Sequence, residues 1–387
     1  MTDTILILGN GFDIAMGRKT KYTDFIEFEK QLFSNPNETL VEFLKAKNIS
    51  IEKYRDNLYL KFINENKDTL GDNWSNLEIM ISQLVDSIMY FKENNEVLFK
   101  VATTGRDWLL EEDLLQEKNY RSKLYIANMF FSLFHEKGWS SLEREVSLDK
   151  LNNEFIRQLD FLIELLEIYL SYLDYLDFEV QGIEASPTAL DAISDLSKSS
   201  VINFNYTNTS AYLFGTVEER THFIHGRIDL DRTFSRINTM VFGIEDKEND
   251  VNSDLIPYQK YYQRVVKETG NKFEEFFIKR NYTVKNTSVV GRAVPTRVPV
   301  SKNIVIFGHS VDPLDKEILQ KSFALAEEGG YPYRFIFTYF DESAKRSIIK
   351  NLAIILGKEK LIELTGKQNV VFVKSDDKDG MKEVLLH

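Results

Sequence analysis

The chain has 387 residues, 43% apolar and 28% charged, a composition that excludes a disordered polymer and allows a sizeable buried core. Sixty acidic against 48 basic residues give a net charge of −12, which argues against bulk nucleic-acid binding over a broad face and leaves only a local basic groove open. Cysteine is absent, so disulfides and zinc–thiolate centres are excluded and a reducing compartment fits.

The first predicted element is a buried strand, Thr4-Ile5-Leu6-Ile7-Leu8, running directly into Gly9-Asn10-Gly11-Phe12-Asp13. Strand, glycine turn and helix is the arrangement that brings backbone N–H groups against a nucleotide's phosphates. No basic segment precedes this strand, no small-residue cleavage site follows it, and no stretch has the uncharged length of a bilayer span. The expectation is a cytoplasmic protein with no membrane segment.

Residues 22–178 read as helical almost throughout. Ile81, Leu84, Val85 and Ile88 recur at helical spacing behind Trp74-Ser75-Asn76-Leu77-Glu78, where Ser75 and Glu78 have the spacing of a capping box. Phe155, Leu159, Leu162, Leu166, Leu173 and Leu176 mark a long core helix interrupted by Arg157, Asp160, Glu164 and Glu167.

Past Ser186-Pro187 short apolar runs return at Val201–Phe204, His222–Ile224, Met240–Phe242, Asn303–Phe307, Arg334–Phe337 and Val370–Val373. Helical patterns at 314–327 and 342–356 alternate with the later runs, a βαβ rhythm that implies a mainly parallel, Rossmann-like α/β sheet. Strand one must pair with these later strands. The expected organisation is therefore an α/β core of residues 1–21 and 186–387, with residues 22–185 as a large helical insertion after the first strand. Residues 245–301 read as a polar connection with a weak helical centre at 258–279, in the manner of a lid.

Four segments carry candidate chemistry. Gly9-Asn10-Gly11-Phe12-Asp13 departs from the dehydrogenase fingerprint, since Ile14 stands where G-x-G-x-x-G needs its third glycine. The glycines are expected to let backbone approach phosphates, and Asp13 to face a ribose hydroxyl or a backbone N–H; Asp13 as a helix cap is the alternative. Asn203-Phe204-Asn205-Tyr206-Thr207-Asn208-Thr209 ends a strand, with Asn203 and Asn205 expected on one face, towards a pocket. Asn208 and Thr209 are equally readable as turn residues.

His225 precedes Gly226 at another strand tip, and imidazole is the side chain suited to proton exchange near neutral pH. Gly308-His309-Ser310-Val311-Asp312-Pro313-Leu314-Asp315 follows a third strand, with Asp312 or Asp315 as alternative caps of the next helix. No H-x-x-x-H or H-E-x-x-H pair and no G-x-S-x-G elbow occurs, so no metal is expected and serine-hydrolase chemistry has no anchor.

In combination these segments resemble the sirtuin fold: Gly9-x-Gly11 with Gly17 and Asp24-Phe25, Asn203–Thr207, His225-Gly226 and Gly308-His309-Ser310, in that order. More closely, Gly9–Asp13 with Gly17, Thr20, Tyr22, Asp24 and Phe25, then Trp74-Ser75-x-x-Glu78, Phe204–Thr207, His225-Gly226 and Gly308–Ser310, resemble the AbiH family of phage abortive-infection proteins. The resemblance implies a sirtuin-type core that cleaves NAD, with Asn205 and His225 catalytic. It implies Gly9, Asn10, Gly11, Phe12, Asp13, Tyr206, Gly308, His309, Ser310 and Asp315 around the dinucleotide, and a phage-derived trigger as partner. Without cysteines the zinc ribbon of deacetylating sirtuins cannot form, Phe12-Asp13 replaces smaller residues, and Thr207 stands where an aspartate is usual.

NAD is thus expected as substrate, split at the nicotinamide–ribose bond. A nucleotide-binding sensor or scaffold without turnover is the alternative, followed by a metal-dependent nuclease built on Asp13, Glu78, Asp312 and Asp315. Self-association stays open.

Overall fold

A computed structural model describes residues 2–66, 74–96, 98, 119–134, 141–244, 254–278, 282–289 and 292–386. Two compact units emerge, one of Met1–Thr20, Leu173–Ile228 and Thr269–His387, the other of Lys21–Tyr172 and Asp229–Glu268.

The first unit is built on strands β1 (Thr2–Leu8), β2 (Ser200–Asn203), β3 (Thr221–Phe223), β4 (Tyr282–Val289), β5 (Arg292–Pro299), β6 (Ser301–Phe307), β7 (Tyr333–Tyr339) and β8 (Val370–Lys374). Six of them form one parallel sheet in the order β3-β2-β1-β6-β7-β8. With the β4–β5 hairpin set aside this is the 3-2-1-4-5-6 order of a doubly wound sheet, and the direction of winding reverses between β1 and β6. Alternation divides the apolar residues between two buried faces, as a parallel sheet requires. Ile5, Ile7, Ile202, Ile304, Ile306, Phe335 and Phe337 join one core, packed by Leu319 and Phe323 of the helix Lys316–Glu328 and by Ile348 and Leu352 of Glu342–Leu356. Leu6, Leu8, Val201, Val305, Phe307 and Ile336 join the other, with Phe12 and Met381. Each such side chain contributes about 1.5–3 kcal/mol on burial.

Register fixes the site. Leu8 lies opposite both Asn203 and Phe307, and Asn203 lies opposite Phe223. The chain therefore leaves β1, β2, β3 and β6 in one row along the carboxyl edge.

The second unit is helical, with helices Tyr22–Ser34, Glu38–Ala46, Leu58–Asn66, Trp74–Glu93, Tyr120–Phe134 and most of Ser141–Asp174. Asp24 accepts the Lys21 N–H and so starts the first of them. Buried positions surround much of Ser141–Asp174, so Glu167 is buried too and needs partners. It accepts from both Arg232 terminal nitrogens at 2.7 and 2.9 Å, from Asn238 Nδ2 at 2.9 Å and from the Asp229 N–H at 3.1 Å. Among the described residues no helix is long and apolar enough to cross a membrane.

Two expectations are corrected. Met240–Phe242 is buried but is not a strand: the Gln263 amide both accepts from Phe242 N–H and donates to Phe242 C=O, replacing a ladder with a side chain. Within 245–301, residues 245–253, 279–281 and 290–291 lie outside the described residues. The remainder holds helical turns between Ile256 and Phe277 and then the β4–β5 hairpin, which the apolar patterning had not singled out.

Candidate functional site

The loops after β1 and β6 cross in contact. Gly9 N–H donates to Phe307 C=O at 3.0 Å, and Gly11 N–H donates to Gly308 C=O at 2.8 Å. A Cβ on Gly9 would stand 2.6 Å from His309 Cα, and one on Gly308 would stand 2.1 Å from Phe12 N. Gly308 also has φ +68, a region that L side chains rarely adopt. The expected phosphate-facing N–H groups of Gly9 and Gly11 are thus turned to protein carbonyls, and the glycines serve close approach of two loops. Phe12 is buried against Phe307 and Phe214, in the core rather than towards a ligand.

Beyond β2, Asn203 staples its own turn: Oδ1 accepts from Asn205 N–H at 2.9 Å, and Nδ2 donates to Thr207 C=O at 3.1 Å. Asn205 reaches across to β1, Nδ2 donating to Gly9 C=O at 3.0 Å, which leaves Oδ1 as the atom that can accept from a ligand. Tyr206 C=O accepts from Ile228 N–H and so holds the segment after Gly226.

Beyond β3, Gly226 at φ +72 turns the chain and leaves His225 half-buried at the edge. His225 Nε2 lies 3.2 Å from Asp315 Oδ1, and His309 Nε2 lies 3.4 Å from Asp315 Oδ2, so one carboxylate faces two imidazoles. His309 Nδ1 accepts from Val311 N–H at 2.9 Å, which puts the proton of the neutral ring on Nε2, towards Asp315. Val311 holds φ +56 in that turn, a conformation a β-branched residue rarely takes, and its side chain belongs to the core. Phe204 meets His309 and His225 edge-on, with centroids at 4.3 and 5.6 Å, and packs both rings. The resemblance implies His309 and Asp315 beside the dinucleotide; in the structure Asp315 pairs with His309 and with His225.

A comparison with known protein families matches residues 5–330 to the family described as "Bacteriophage abortive infection AbiH". The chain belongs to the AbiH family. That membership places it among bacteriophage abortive-infection proteins. No curated protein and no solved structure matches.

Behind the AbiH signature lies a cluster that sequence reasoning missed. Arg18, its side chain 0% exposed, donates from Nη2 to Asp174 Oδ1 at 2.5 Å, from Nε to Asp177 Oδ2 at 2.7 Å and from Nη1 to Thr209 Oγ1 at 2.5 Å. The Thr209 hydroxyl donates to Thr207, which donates to Asp13 Oδ2 at 2.6 Å. Asp13 thus faces a threonine, and its Oδ1 is buried with no hydrogen-bond partner among the described residues. Burial pushes the Asp13 carboxyl above its ordinary range against the pull of Arg18, and pushes Asp174 up to about 6 for the same reason. The one available signal was an arginine directly after Gly17, a glycine at φ +80 that turns Arg18 inwards.

The remaining candidates separate. Asp312 accepts from Leu314 N–H at 3.0 Å, the capping role. Ser310 is exposed, and its C=O accepts from Asn351. Asn10 opens the helix Asn10–Ala15 and is half-buried. Glu78, in the helical unit, pairs with Lys260 at 2.9 Å; its helix begins at Trp74, so Ser75 lies inside the helix rather than at its cap, and the Trp74 and Ser75 side chains lie outside the described residues. Among the described residues no group of three or more His, Asp or Glu is arranged to hold a metal ion.

Proposed function

We propose that this AbiH protein acts in abortive infection by hydrolysing the nicotinamide–ribose bond of NAD. The observation that carries the reading is the row along the carboxyl edge. Asn205 and the His225–Asp315 pair follow adjacent strands, beside the β1 and β6 loops where the strand order reverses. Open α/β sheets bind nucleotides at that reversal.

Nicotinamide departs from its cationic N-glycoside as a neutral base, taking the electron pair of the C1′–N bond, so charge builds on the ribose. Water then bonds to C1′ and must lose a proton. The Asn205 Oδ1 accepts a hydrogen bond from that water or from a ribose hydroxyl and orients it. His225 takes the proton, and the Asp315 carboxylate beside it stabilises the ring once charged. Ser310 and Asn10 are the polar side chains of the crossing loops on hand for the pyrophosphate.

The test is release of nicotinamide from NAD by the purified protein, followed by chromatography. Asn205→Ala and His225→Ala are each expected to lower the rate by about 100-fold or more. Release at the wild-type rate from either variant would reject the assignment, as would no release by the wild type.

A further inference from the structure

One histidine at the carboxyl edge has no part in the reaction proposed above. His309 is buried, its side chain 5% exposed, and a buried imidazole needs partners for both of its nitrogens. Nδ1 accepts from the Val311 N–H at 2.9 Å. That bond depends on a strained turn: Val311 is fully buried and holds φ +56, which a β-branched residue rarely takes and which its packing in the core maintains. Backbone strain kept at the end of a strand, beside residues that face a ligand row, is a pointer to function.

With Nδ1 occupied, the proton of the neutral ring sits on Nε2, 3.4 Å from Asp315 Oδ2. The other oxygen of that carboxylate lies 3.2 Å from His225 Nε2. The Asp315 N–H donates to Asp312 C=O at 3.0 Å, which anchors the backbone but does not set the direction of the carboxylate. The imidazole of His309 does. Phe204 confines both rings, meeting His309 and His225 edge-on.

We infer that His309 is a positioning residue for His225. Its Nε2–H holds Asp315 Oδ2, which keeps Oδ1 on the Nε2–H of His225. A carboxylate on one ring nitrogen puts the proton there and the lone pair on the other, so Nδ1 is the His225 atom that takes the proton. That nitrogen is buried, which keeps bulk water from it. As the water oxygen bonds to C1′ and nicotinamide leaves with the electron pair of the C1′–N bond, the water proton passes to Nδ1. The positive charge of the ring is then faced at Nε2 by Asp315. His309 touches neither the substrate nor the moving proton and acts through Asp315. The inference rests on the NAD reading for the identity of the reaction, but not for the arrangement of His309, Asp315 and His225. The competing account is that His309 only closes the turn through Nδ1.

Two substitutions separate the roles of the ring nitrogens. His309→Asn puts an amide oxygen where Nδ1 accepts from Val311 but falls short of Asp315. His309→Gln reaches Asp315 with an amide N–H and gives up the Val311 bond. In nicotinamide release by the full chain, His309→Asn is expected to lower kcat by about 10–100-fold with KM within about twofold. His309→Gln is expected to stay about tenfold faster than His309→Asn. A glutamine variant no faster than the asparagine variant, or an asparagine variant at the wild-type rate, would overturn the proposal in favour of the turn-closing account. A second readout needs no turnover: nitrogen-15 NMR of the histidine rings at about pH 8, above the ordinary histidine range. The wild type is expected to show the His225 proton on Nε2, His309→Asn to populate both tautomers, and His309→Gln to restore the Nε2 form. A proton on Nδ1 in the wild type, or unchanged populations in His309→Asn, would overturn the positioning role whether or not NAD is cleaved. No nicotinamide release from a wild type whose ring tautomers follow this pattern would reject the NAD reading and leave the positioning of His225 standing.

Discussion

Two carboxylate clusters of the sheet unit make a useful contrast. At the carboxyl edge Asp315, 15% exposed in its side chain, faces the half-buried imidazole of His225 and the buried imidazole of His309. Behind the first loop Asp13, Asp174 and Asp177 gather around one guanidinium that solvent does not reach. The first cluster is the one the proposed NAD hydrolysis uses for proton transfer. The second carries more acid than its single cation balances, and burial holds Asp13 and Asp174 towards their neutral forms. The lesson concerns motif reading: Asp13, inside the family signature, holds Thr207 in the turn that carries Asn205, while Asp315, six residues beyond His309, pairs with the histidine to which the proposed reaction assigns the proton. One cluster is expected to govern stability and the other rate.

The largest effect should come from the buried cation. Arg18→Met leaves three buried carboxylates without a counter-charge and should destabilise the protein by about 3–5 kcal/mol, read as a drop in the urea midpoint at pH 7. A loss within the range of surface pairs, below about 1 kcal/mol, would show that the cluster is solvated and the contrast unfounded. The edge cluster should respond the other way. Asp315→Asn keeps the shape but removes the charge beside His225; it is expected to lower kcat for nicotinamide release by about 10–100-fold, with KM and the melting temperature nearly unchanged. A variant that melts early but turns over normally would make Asp315 a stabilising residue only.

How much of this was legible depends on range. The alternation of Ile5 and Ile7 against Leu6 and Leu8 needed only neighbouring residues, and the two cores follow it. The parallel sheet followed from the βαβ rhythm, and the recurrence of glycine and polar residues at strand ends marked which loops meet. What local sequence could not carry were contacts between distant residues. Arg18 meets Asp174 across 156 positions, and His225 meets Asp315 across 90. Met240–Phe242 misled because its burial is genuine while its backbone partner is the side chain of Gln263. The hairpin hid for the opposite reason: Thr283, Lys285 and Thr287 alternate as a strand should, but two prolines in the returning strand argue against one.

The finest division between the clusters is in their pH response. Asp174 titrates near 6 in the folded protein, chiefly through burial and against Arg18, and near 3.9 when unfolded. Between those values the folded chain holds a proton that the unfolded chain has released. Stability from this group is therefore complete below about pH 4, falls as pH rises through 6, and is flat above. Asp174→Asn removes that titration. Its stability relative to wild type should rise by about 1–2 kcal/mol between pH 5 and 7, measured by urea unfolding at each pH, with Asp13 present in both proteins and shifted in the same direction. A difference that is constant with pH would mean Asp174 is ionised throughout and Arg18 dominates its burial; a difference that falls would reverse the sign and place Asp174 among ordinary salt-bridged carboxylates. The same substitution should leave NAD turnover within about twofold at pH 7, because Asp174 acts on the Asn205 turn only through Arg18, Thr209 and Thr207.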